Sequence, residues 1–358
     1  MKVVREVICH TLLLVNCGVG VLFLICAYSP YIHPTTHSLW ACAGLFFPIF
    51  LTLNLLFLCF WFVVKKKYAL LPLLLLLVAW KPCRTYCPIN LPIAAKTADS
   101  TVIKLLTYNT MGIPLEKDTE GREVNPITHY LAHSGADIIC LQEYPLGRHK
   151  QICKELEVNY PYARTLRFSN GNGVACYSKF RILDARPISY ASRFNGSGLF
   201  HLQMGKDTVV VINNHLESNK LDSHDKAAYK DMLTRPGEQT MKQNGRHLLH
   251  KLAEAVAIRA TEADSVAHVI AQTHTPYLLV CGDLNDSPLS YTHRVIGRGL
   301  QDVYVAAGNG PGFTYNRNAL YFRIDHIFAG KGFKPLKCEV DRSIRTSDHY
   351  PVWCLLRK

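Results

Sequence analysis

Two long uncharged apolar stretches near the N-terminus constrain this chain more than any other feature. Residues 7–28 and 39–64 are runs of 22 and 26 residues without Lys, Arg, Asp or Glu. At about 1.5 Å per helical residue, each can cross a hydrocarbon core about 30 Å thick. A cleaved signal peptide fits poorly, because the first run is too long and a second follows directly. The N-terminal part is therefore predicted to lie in a membrane.

A third apolar run, residues 68–80, leaves two alternatives open. It has only 13 residues, contains Pro72, and is followed by Lys81 and Arg84. It forms either an interfacial helix or a short tilted span over about 68–86. We favour the span.

The chain divides into three predicted parts. Residues 1–80 form a membrane region, residues 81–99 a linker without hydrophobic periodicity, and residues 100–358 a globular domain long enough to bury a core. Residues 1–98 carry eight basic residues and one acidic residue, which leaves 32 basic and 26 acidic residues in the other 260. This excess suits a phosphate-bearing substrate or an anionic membrane surface, although ordinary soluble surfaces carry a similar charge.

Charge around the apolar runs predicts the orientation. Lys2 and Arg5 precede the first run, Lys65-Lys66-Lys67 follows the second, and residues 29–38 between them contain neither Lys nor Arg. The positive-inside rule therefore places the N-terminus and the lysine triplet in the cytoplasm. Three spans put the globular domain outside the cytoplasm, and two put it inside. We expect a multi-pass protein with an extracytoplasmic domain.

Strand patterns dominate the globular part. Residues 102–108, 136–141, 173–177 and 208–213 are predicted strands, and residues 246–272 form a helix with apolar residues near helical spacing. Turns join several consecutive strands. This pattern favours an α+β fold of mixed sheets with outer helices over a doubly wound parallel sheet.

Four polar clusters stand where predicted strands end or begin. They are Gln142-Glu143, Gly282-Asp283-Leu284-Asn285, Ile324-Asp325-His326 and Ser347-Asp348-His349. A side chain at a strand end is held rigidly yet faces solvent, as catalytic groups must. Asp and Asn also cap ordinary turns, so one such cluster would mean little, but four favour a functional site.

The residue types indicate metal-assisted hydrolysis. The candidate site residues are Asn109, Glu143, His215, Asp283, Asn285, Asp325, Asp348 and His349. Carboxylates, amides and imidazoles without a Ser or Cys nucleophile motif favour attack by water activated on a metal ion. Oxygen ligands favour Mg²⁺, with Mn²⁺ as an alternative, and zinc fits less well because no His pair has ligand spacing. The neutral donors Asn109, Asn285 and His215 suit phosphate oxygens.

Six motifs resemble, in order, those of the endonuclease/exonuclease/phosphatase superfamily. They are Leu106-Thr107-Tyr108-Asn109, Leu141-Gln142-Glu143, Asn213-Asn214-His215-Leu216, Gly282-Asp283-Leu284-Asn285, Arg323-Ile324-Asp325-His326-Ile327 and Ser347-Asp348-His349-Tyr350-Pro351-Val352. Members include DNase I-like nucleases, apurinic endonucleases, sphingomyelinases and inositol-polyphosphate phosphatases. The resemblance covers about residues 100–358 and implies a two-layer β-sandwich flanked by helices. The apolar N-terminus is similar to a membrane-anchored bacterial branch.

The resemblance also implies roles in the site. Glu143 would hold the divalent ion, with Asn109 and Asp348 helping from nearby. Asp283 would orient and deprotonate the attacking water. Asn285 would hold that water and a phosphate oxygen.

The imidazoles complete this implied site. His349 would stabilise the charged phosphorane or protonate the leaving oxygen, and Asp325 would fix its tautomer. His215 would contact the phosphate.

The substrate remains open at this point. We expect a membrane-anchored, divalent-metal-dependent phosphodiesterase, with nucleic acid and phospholipid head groups as alternative substrates. Sphingomyelin- or inositol-phosphate-type hydrolysis belongs to the second alternative, and a non-catalytic protein that binds a phosphorylated ligand is a different class. Residues 218–245, which mix basic and acidic side chains, either clamp a substrate or form a solvated loop. No sequence feature indicates a protein partner.

Overall fold

The structure is a computed structural model that describes residues 2–91, 101–168, 172–192, 195–234, 237–315, 317 and 321–358. Within these ranges, the side chains of residues 2, 223, 226, 230, 233 and 238–243 are not described. The second half of the predicted linker, residues 92–99, and several basic side chains of the 218–245 segment therefore lie outside the description.

The N-terminal part is helical. Its helices are α1 (Lys2–Tyr28), α2 (Pro34–Ala41), α3 (Phe47–Val64), α4 (Leu70–Val78) and α5 (Trp80–Tyr86). By length and composition, two helical stretches, Val3–Tyr31 and Ser38–Val64, could cross a membrane.

The third apolar run forms a bent helix pair. The helical stretch Lys66–Val78, which ends with α4, meets α5 at 68°, and the two count as a third candidate span only if they are taken together. The bend follows from Pro82, whose ring would clash with the carbonyl group of Val78 in a continuous helix. The start of the predicted linker is thus helical through Tyr86, and whether this pair crosses a membrane stays a prediction.

The N-terminal helices form an antiparallel bundle with two distinct ends. At one end, Lys65 Nζ lies 2.5 Å from Glu6 Oε2. At the other, Tyr28 donates a hydrogen bond from its hydroxyl group to the Val78 carbonyl oxygen at 2.7 Å. The lysine triplet therefore lies at the end opposite to Tyr28.

The globular part alternates strands and helices. Its elements in chain order are β1 (Val102–Asn109), β2 (Glu116–Lys117), β3 (Glu123–Val124), α6 (Pro126–His133), β4 (Ile138–Pro145), α7 (His149–Leu156), β5 (Tyr162–Arg167), β6 (Asn172–Ser178), β7 (Arg181–Ile188), β8 (Gly196–Met204), β9 (Asp207–His215), α8 (Ser223–Thr234), α9 (Glu238–Gln272), β10 (Leu278–Asp283), α10 (Tyr291–Ile296), β11 (Gln301–Asp302), α11 (Val303–Ala307), β12 (Asp325–Ala329), β13 (Lys334–Val340) and β14 (Val352–Arg357).

Two six-stranded sheets pack face to face. The first sheet has the order β13-β14-β1-β4-β6-β5, and the second has the order β11-β12-β10-β9-β8-β7. Val209 and Val211 of β9 point into the core between the sheets, whereas Val210 and Ile212 point to the outer face beneath α9 and α10. This alternation is the period of two expected of a strand buried on both faces. The predicted two-layer β-sandwich flanked by helices is confirmed.

The long helix α9 begins earlier than the predicted helix 246–272. It starts at Glu238 and continues through Gly245, a residue that costs about 1 kcal/mol relative to Ala inside a helix. Packing of Leu249, Leu252 and neighbouring apolar residues against the N-terminal part accompanies this extension. The 218–245 segment therefore contains α8 and the first turns of α9.

Strand registers bring the polar clusters to one end of the sandwich. Parallel strands β1 and β4 pair Asn109 with Gln142, and parallel strands β9 and β10 pair His215 with Asp283. Antiparallel strand β12 begins with Asp325 opposite Asp283. The sheet ends thus place residues from distant parts of the chain side by side.

The N-terminal bundle contacts this same end through the loop that follows β10. Leu289 packs into the apolar cluster formed by Phe23, Phe47 and Ala79. Gly44 lies so close that a Cβ atom there would be 2.0 Å from the Leu289 carbonyl oxygen. The Tyr28 end of the bundle is therefore the end that meets the globular domain.

The segment after α5 docks on the globular domain as well. Asn90 donates from Nδ2 to the carbonyl oxygens of Val305 at 3.1 Å and Gly308 at 2.6 Å. Gly310 N donates to the Pro88 carbonyl oxygen at 2.9 Å. The first half of the predicted linker is thus hydrogen-bonded to the domain.

Candidate active site

Local backbone geometry sets the direction of the acidic side chains. Gly282 has a φ of +125°, and a Cβ atom there would lie 2.1 Å from the Asn214 carbonyl oxygen. Only glycine therefore allows β10 to approach β9 this closely immediately before Asp283. Glu143 and Asn285 have φ values of 49° and 52°, a left-handed conformation that is uncommon for such residues and is concentrated at functional sites.

Four hydrogen bonds hold the carboxylates on either side of Asn109. Asn109 Nδ2 donates to Asp283 Oδ2 at 2.9 Å and to Glu143 Oε1 at 3.1 Å. Asn285 donates to Asp283 from its backbone nitrogen at 2.7 Å and from Nδ2 at 3.2 Å. Asp283 is 1% exposed. Its carboxylate is therefore fixed in one position.

His349 lies between two carboxylates. Its Nδ1 is 2.8 Å from Asp325 Oδ2, and its Nε2 is 3.7 Å from Asp283 Oδ2. Burial alone would lower the pKa of His349, but the two carboxylates outweigh it and raise that pKa above its usual range. Burial raises the pKa of Asp283, and the positive charge of His349 offsets part of this increase. The pair therefore favours a charged imidazole beside a base of increased affinity for protons.

The remaining predicted residues lie toward the open side. His215 Nε2 is 3.6 Å from Glu143 Oε1, and the Glu143 side chain is 34% exposed. Asp348 is partly exposed, and its charge acts on His349. Among the contacts of the described residues, none joins the Asp348 side chain directly to another predicted site residue. The other seven residues are connected to one another.

The donor set fits a divalent metal ion. Buried carboxylates gather here, and their ion-pair partners are imidazoles. Asp325 Oδ1 is buried without a hydrogen-bond donor in the described part of the chain. Clustered carboxylates in a buried site require a compensating cation, and oxygen donors suit a hard one. The described side chains of this site that lie close enough together to share an ion are those of Asp283, Asp325 and His349, and ligation by Glu143, Asn109 and Asp348 stays a prediction.

Both the oxygen and the nitrogen of the Asn109 side-chain amide make hydrogen bonds in this site. Its Oδ1 accepts a hydrogen bond from Met111 N at 3.1 Å, while its Nδ2 bridges the two carboxylates. Asn109 Oδ1 therefore keeps one lone pair with which it could bind an ion in this orientation.

Two residues near the site were not identified from the sequence. Thr314 Oγ1 accepts hydrogen bonds from the backbone nitrogens of Ile324 at 3.0 Å and Asp325 at 3.2 Å. The ring of Tyr315 lies 5.3 Å from that of His349. Both belong to a loop without hydrophobic periodicity, so no sequence pattern marks them.

Comparisons with known proteins cover both parts of the chain. The family model described as "Endonuclease/Exonuclease/phosphatase family" matches residues 106–349, which is more than half of the chain. A model described as a domain of unknown function, DUF8431, matches residues 9–86. No curated protein matches the chain.

Several solved structures have a similar fold. ANGEL2, described as a 2′,3′-cyclic phosphatase, is 16% identical with a TM-score of 0.50, and the match covers 72% of this chain and 95% of that one. Truncated Caenorhabditis elegans TDP2 is 19% identical with a TM-score of 0.48 over 72% and 98% of the two chains. Staphylococcus aureus beta toxin is 17% identical with a TM-score of 0.48 over 70% and 99%. On the match to the family model, this chain belongs to the endonuclease/exonuclease/phosphatase family and is an enzyme that hydrolyses phosphoester bonds with a divalent metal ion.

Proposed function

We propose that this chain is a membrane-anchored phosphodiesterase in which Asp283 activates the attacking water. The observation that carries the proposal is the convergence on Asp283 of Asn109, Asn285 and His349, which come from three separate parts of the chain. A carboxylate held at fixed geometry, with a pKa raised toward neutrality, suits a general base.

The catalytic steps follow from these contacts. Asp283 takes a proton from water as the water oxygen forms a bond to phosphorus. The ester P–O bond breaks, its electron pair leaves with the ester oxygen, and that oxygen then takes a proton from solvent to give the alcohol. The His349 imidazolium stabilises the charge that develops on the phosphoryl oxygens, and Asp325 holds its Nδ1–H. Asn285 and His215 orient a phosphate oxygen. These roles amount to positioning and charge neutralisation, which phosphoryl transfer mainly requires.

We propose Mg²⁺ as the ion, with Mn²⁺ as a substitute, held by Glu143 with Asn109 and Asp348. When bound, it would neutralise negative charge on the phosphate and polarise its oxygens. The reason for preferring Mg²⁺ is the set of oxygen donors on the open side of the site.

The deciding assay is hydrolysis of a bis-aryl phosphodiester by the purified full chain, with Asp283→Asn as the matched control. We expect Mg²⁺ or Mn²⁺ to support turnover and EDTA to abolish it. Full activity in EDTA would refute the metal assignment. No turnover of any phosphodiester would refute the assignment as a phosphodiesterase.

A phospholipid head group is the second candidate substrate beside nucleic acid. It is favoured by the contact of Leu289, six residues beyond Asp283, with the apolar end of the helical bundle. This contact brings the base close to the region where a bilayer surface would lie. Parallel assays on plasmid DNA, RNA, sphingomyelin and phosphatidylinositol phosphates in vesicles distinguish the two.

We further propose that the globular domain lies on the extracytoplasmic face. The lysine triplet and Glu6 lie at one end of the bundle, whereas the domain contacts the opposite end. With the lysines in the cytoplasm, the α4–α5 pair must then cross the membrane. Alkaline phosphatase fused after Lys358 should be active, and green fluorescent protein at the same point should be dark. The reverse pattern would place the domain in the cytoplasm.

A further inference from the structure

Arg259 is a charged residue at a buried position of α9 whose neighbours along the helix are apolar. It lies on α9 and is 0% exposed, next to Ala260, which packs against the second sheet with Ala263 and Val266. Burying a guanidinium group costs several kcal/mol unless it is paired. Packing of α9 alone does not explain this residue.

The guanidinium group connects two loops that follow parallel strands. Its Nε donates to the Glu217 carbonyl oxygen at 2.8 Å, and its Nη2 donates to Asn219 Oδ1 at 2.5 Å. Its Nη1 lies 3.0 Å from Asp286 Oδ2 in an ion pair. Glu217 is two residues beyond His215, and Asp286 directly follows Asn285. A single planar group therefore contacts both of the loops that continue β9 and β10.

Beyond the strand ends, these loops are held by side-chain contacts: Glu217 N donates to Glu262 Oε2 at 2.6 Å, and His326 Nε2 lies 2.9 Å from the Asp286 carbonyl oxygen. The last backbone hydrogen bond between the two strand ends joins Leu216 N to the Asp283 carbonyl oxygen at 3.1 Å. Beyond it, Asn285 donates from Nδ2 to the Leu216 carbonyl oxygen at 3.0 Å and has a left-handed backbone. Arg259 supplies the next connection outward.

The N-terminal helices cover this link. Ala41 and Cys42 pack with Ala253 and Val256 of α9, and Val256 lies about one helical turn before Arg259. A lower local dielectric strengthens the ion pair, and exclusion of water leaves Arg259 no competing partner.

We infer that Arg259 is a positioning residue that fixes Asn285 relative to His215 without touching the substrate. It acts through the Glu217 carbonyl oxygen, Asn219 and Asp286. The inference rests on the proposed function, because it assigns Arg259 to the geometry of that site.

The test compares variants of the full chain in detergent or lipid nanodiscs. Arg259→Met should lower kcat about 100-fold, because a displacement of about 1 Å at a reacting group costs that much, and should change KM about threefold or less. Arg259→Lys keeps the charge but not the planar fork, so its kcat should fall between those of Arg259→Met and wild type. Val266→Ala, a buried apolar change on the same helix, should lower the melting temperature and leave kcat unchanged.

A second measurement does not depend on activity. Amide hydrogen exchange should become faster in peptides spanning residues 216–220 and 284–288 of Arg259→Met, and should not change there in Val266→Ala. Unchanged exchange in both peptides, or full kcat in folded Arg259→Met, would overturn the assignment. Equal turnover by wild type and Asp283→Asn would instead refute the proposed function, and the exchange result would still decide on Arg259.

Discussion

The ends of the two sheets contribute to the site in different ways. The first sheet brings Asn109, which is buried, and Glu143, whose side chain is 34% exposed. The second sheet brings Asp283 and Asn285, which are buried and adjoin the loop that contacts the N-terminal helices. The open half suits an ion and a substrate that exchange with solvent, whereas the enclosed half suits a base that must not move.

The largest expected effect comes from the enclosed half. Asp283→Asn should lower kcat by about 10²–10⁴-fold, the usual contribution of a general base. The fold should persist, because the new amide oxygen still accepts the hydrogen bond from Asn285 N, and the loss is confined to the two bonds that Asp283 Oδ2 accepts from Asn109 and Asn285. Steady-state kinetics and circular dichroism measure the two quantities. If the variant retains more than about a tenth of wild-type kcat, another residue is the general base, and His215 is the next candidate.

The next effect tests the pair that His349 forms with Asp325. His349→Ala should lower kcat roughly 10²–10³-fold with little change in KM, because its contacts strengthen as charge develops in the transition state. Asp325→Ala should show much of the same loss. The double variant should be clearly sub-additive in a double-mutant cycle. Additive losses would show that the residues act independently.

A smaller effect, which depends on the Mg²⁺ concentration, should come from the open half. Glu143→Gln should raise the Mg²⁺ concentration needed for half-maximal activity at least tenfold, because one charged ligand becomes neutral. High Mg²⁺ should restore part of the activity, and the same titration should not rescue Asp283→Asn. An unchanged Mg²⁺ requirement would show that Glu143 is not a metal ligand, and would contradict the assignment of the ion to the open half.

The smallest expected effect concerns the free energy of unfolding. It tests how well the enclosed half, contributed by the second sheet, is shielded from water. Burial raises the pKa of Glu262 to about 7. Hydrogen bonds from the Glu217 backbone N–H and from Ser192 oppose this increase, as does the charge of Arg259, whereas the carboxylate of Glu217 adds to it. A raised folded-state pKa gives stability that is fully present below the unfolded-state value and is lost as the pH rises through about 7.

Glu262→Gln should therefore weaken this pH dependence. The group titrates over about pH 5 to pH 8. Across that range, the free energy of unfolding of wild type should fall by roughly 1–3 kcal/mol more than that of the variant. Thermal unfolding of both proteins at each pH measures the difference. Parallel curves for the two proteins would mean that Glu262 is better solvated than its burial indicates.

Short-range patterns were sufficient to predict much of this molecule. The apolar runs predicted the N-terminal helices, because length and lack of charge are local properties. Alternating strands and ordered motifs predicted the sandwich and the family. Glu143, Asp283 and His349 stand beside strand ends within those motifs, and a strand end can be located without knowledge of its neighbours. Their catalytic roles stay predictions.

Other features depend on contacts between distant parts of the chain, which one sequence does not encode locally. Thr314, which holds the backbone of Asp325, lies in a loop without periodicity, and Arg259 lies within an ordinary helical pattern. The linker prediction treated residues 81–91 as separate because Pro82 and Pro88 interrupt regular structure. Only tertiary packing ties Asn90 to the domain and Leu289 to the helical bundle, because such contacts require surfaces that exist only once both parts have folded.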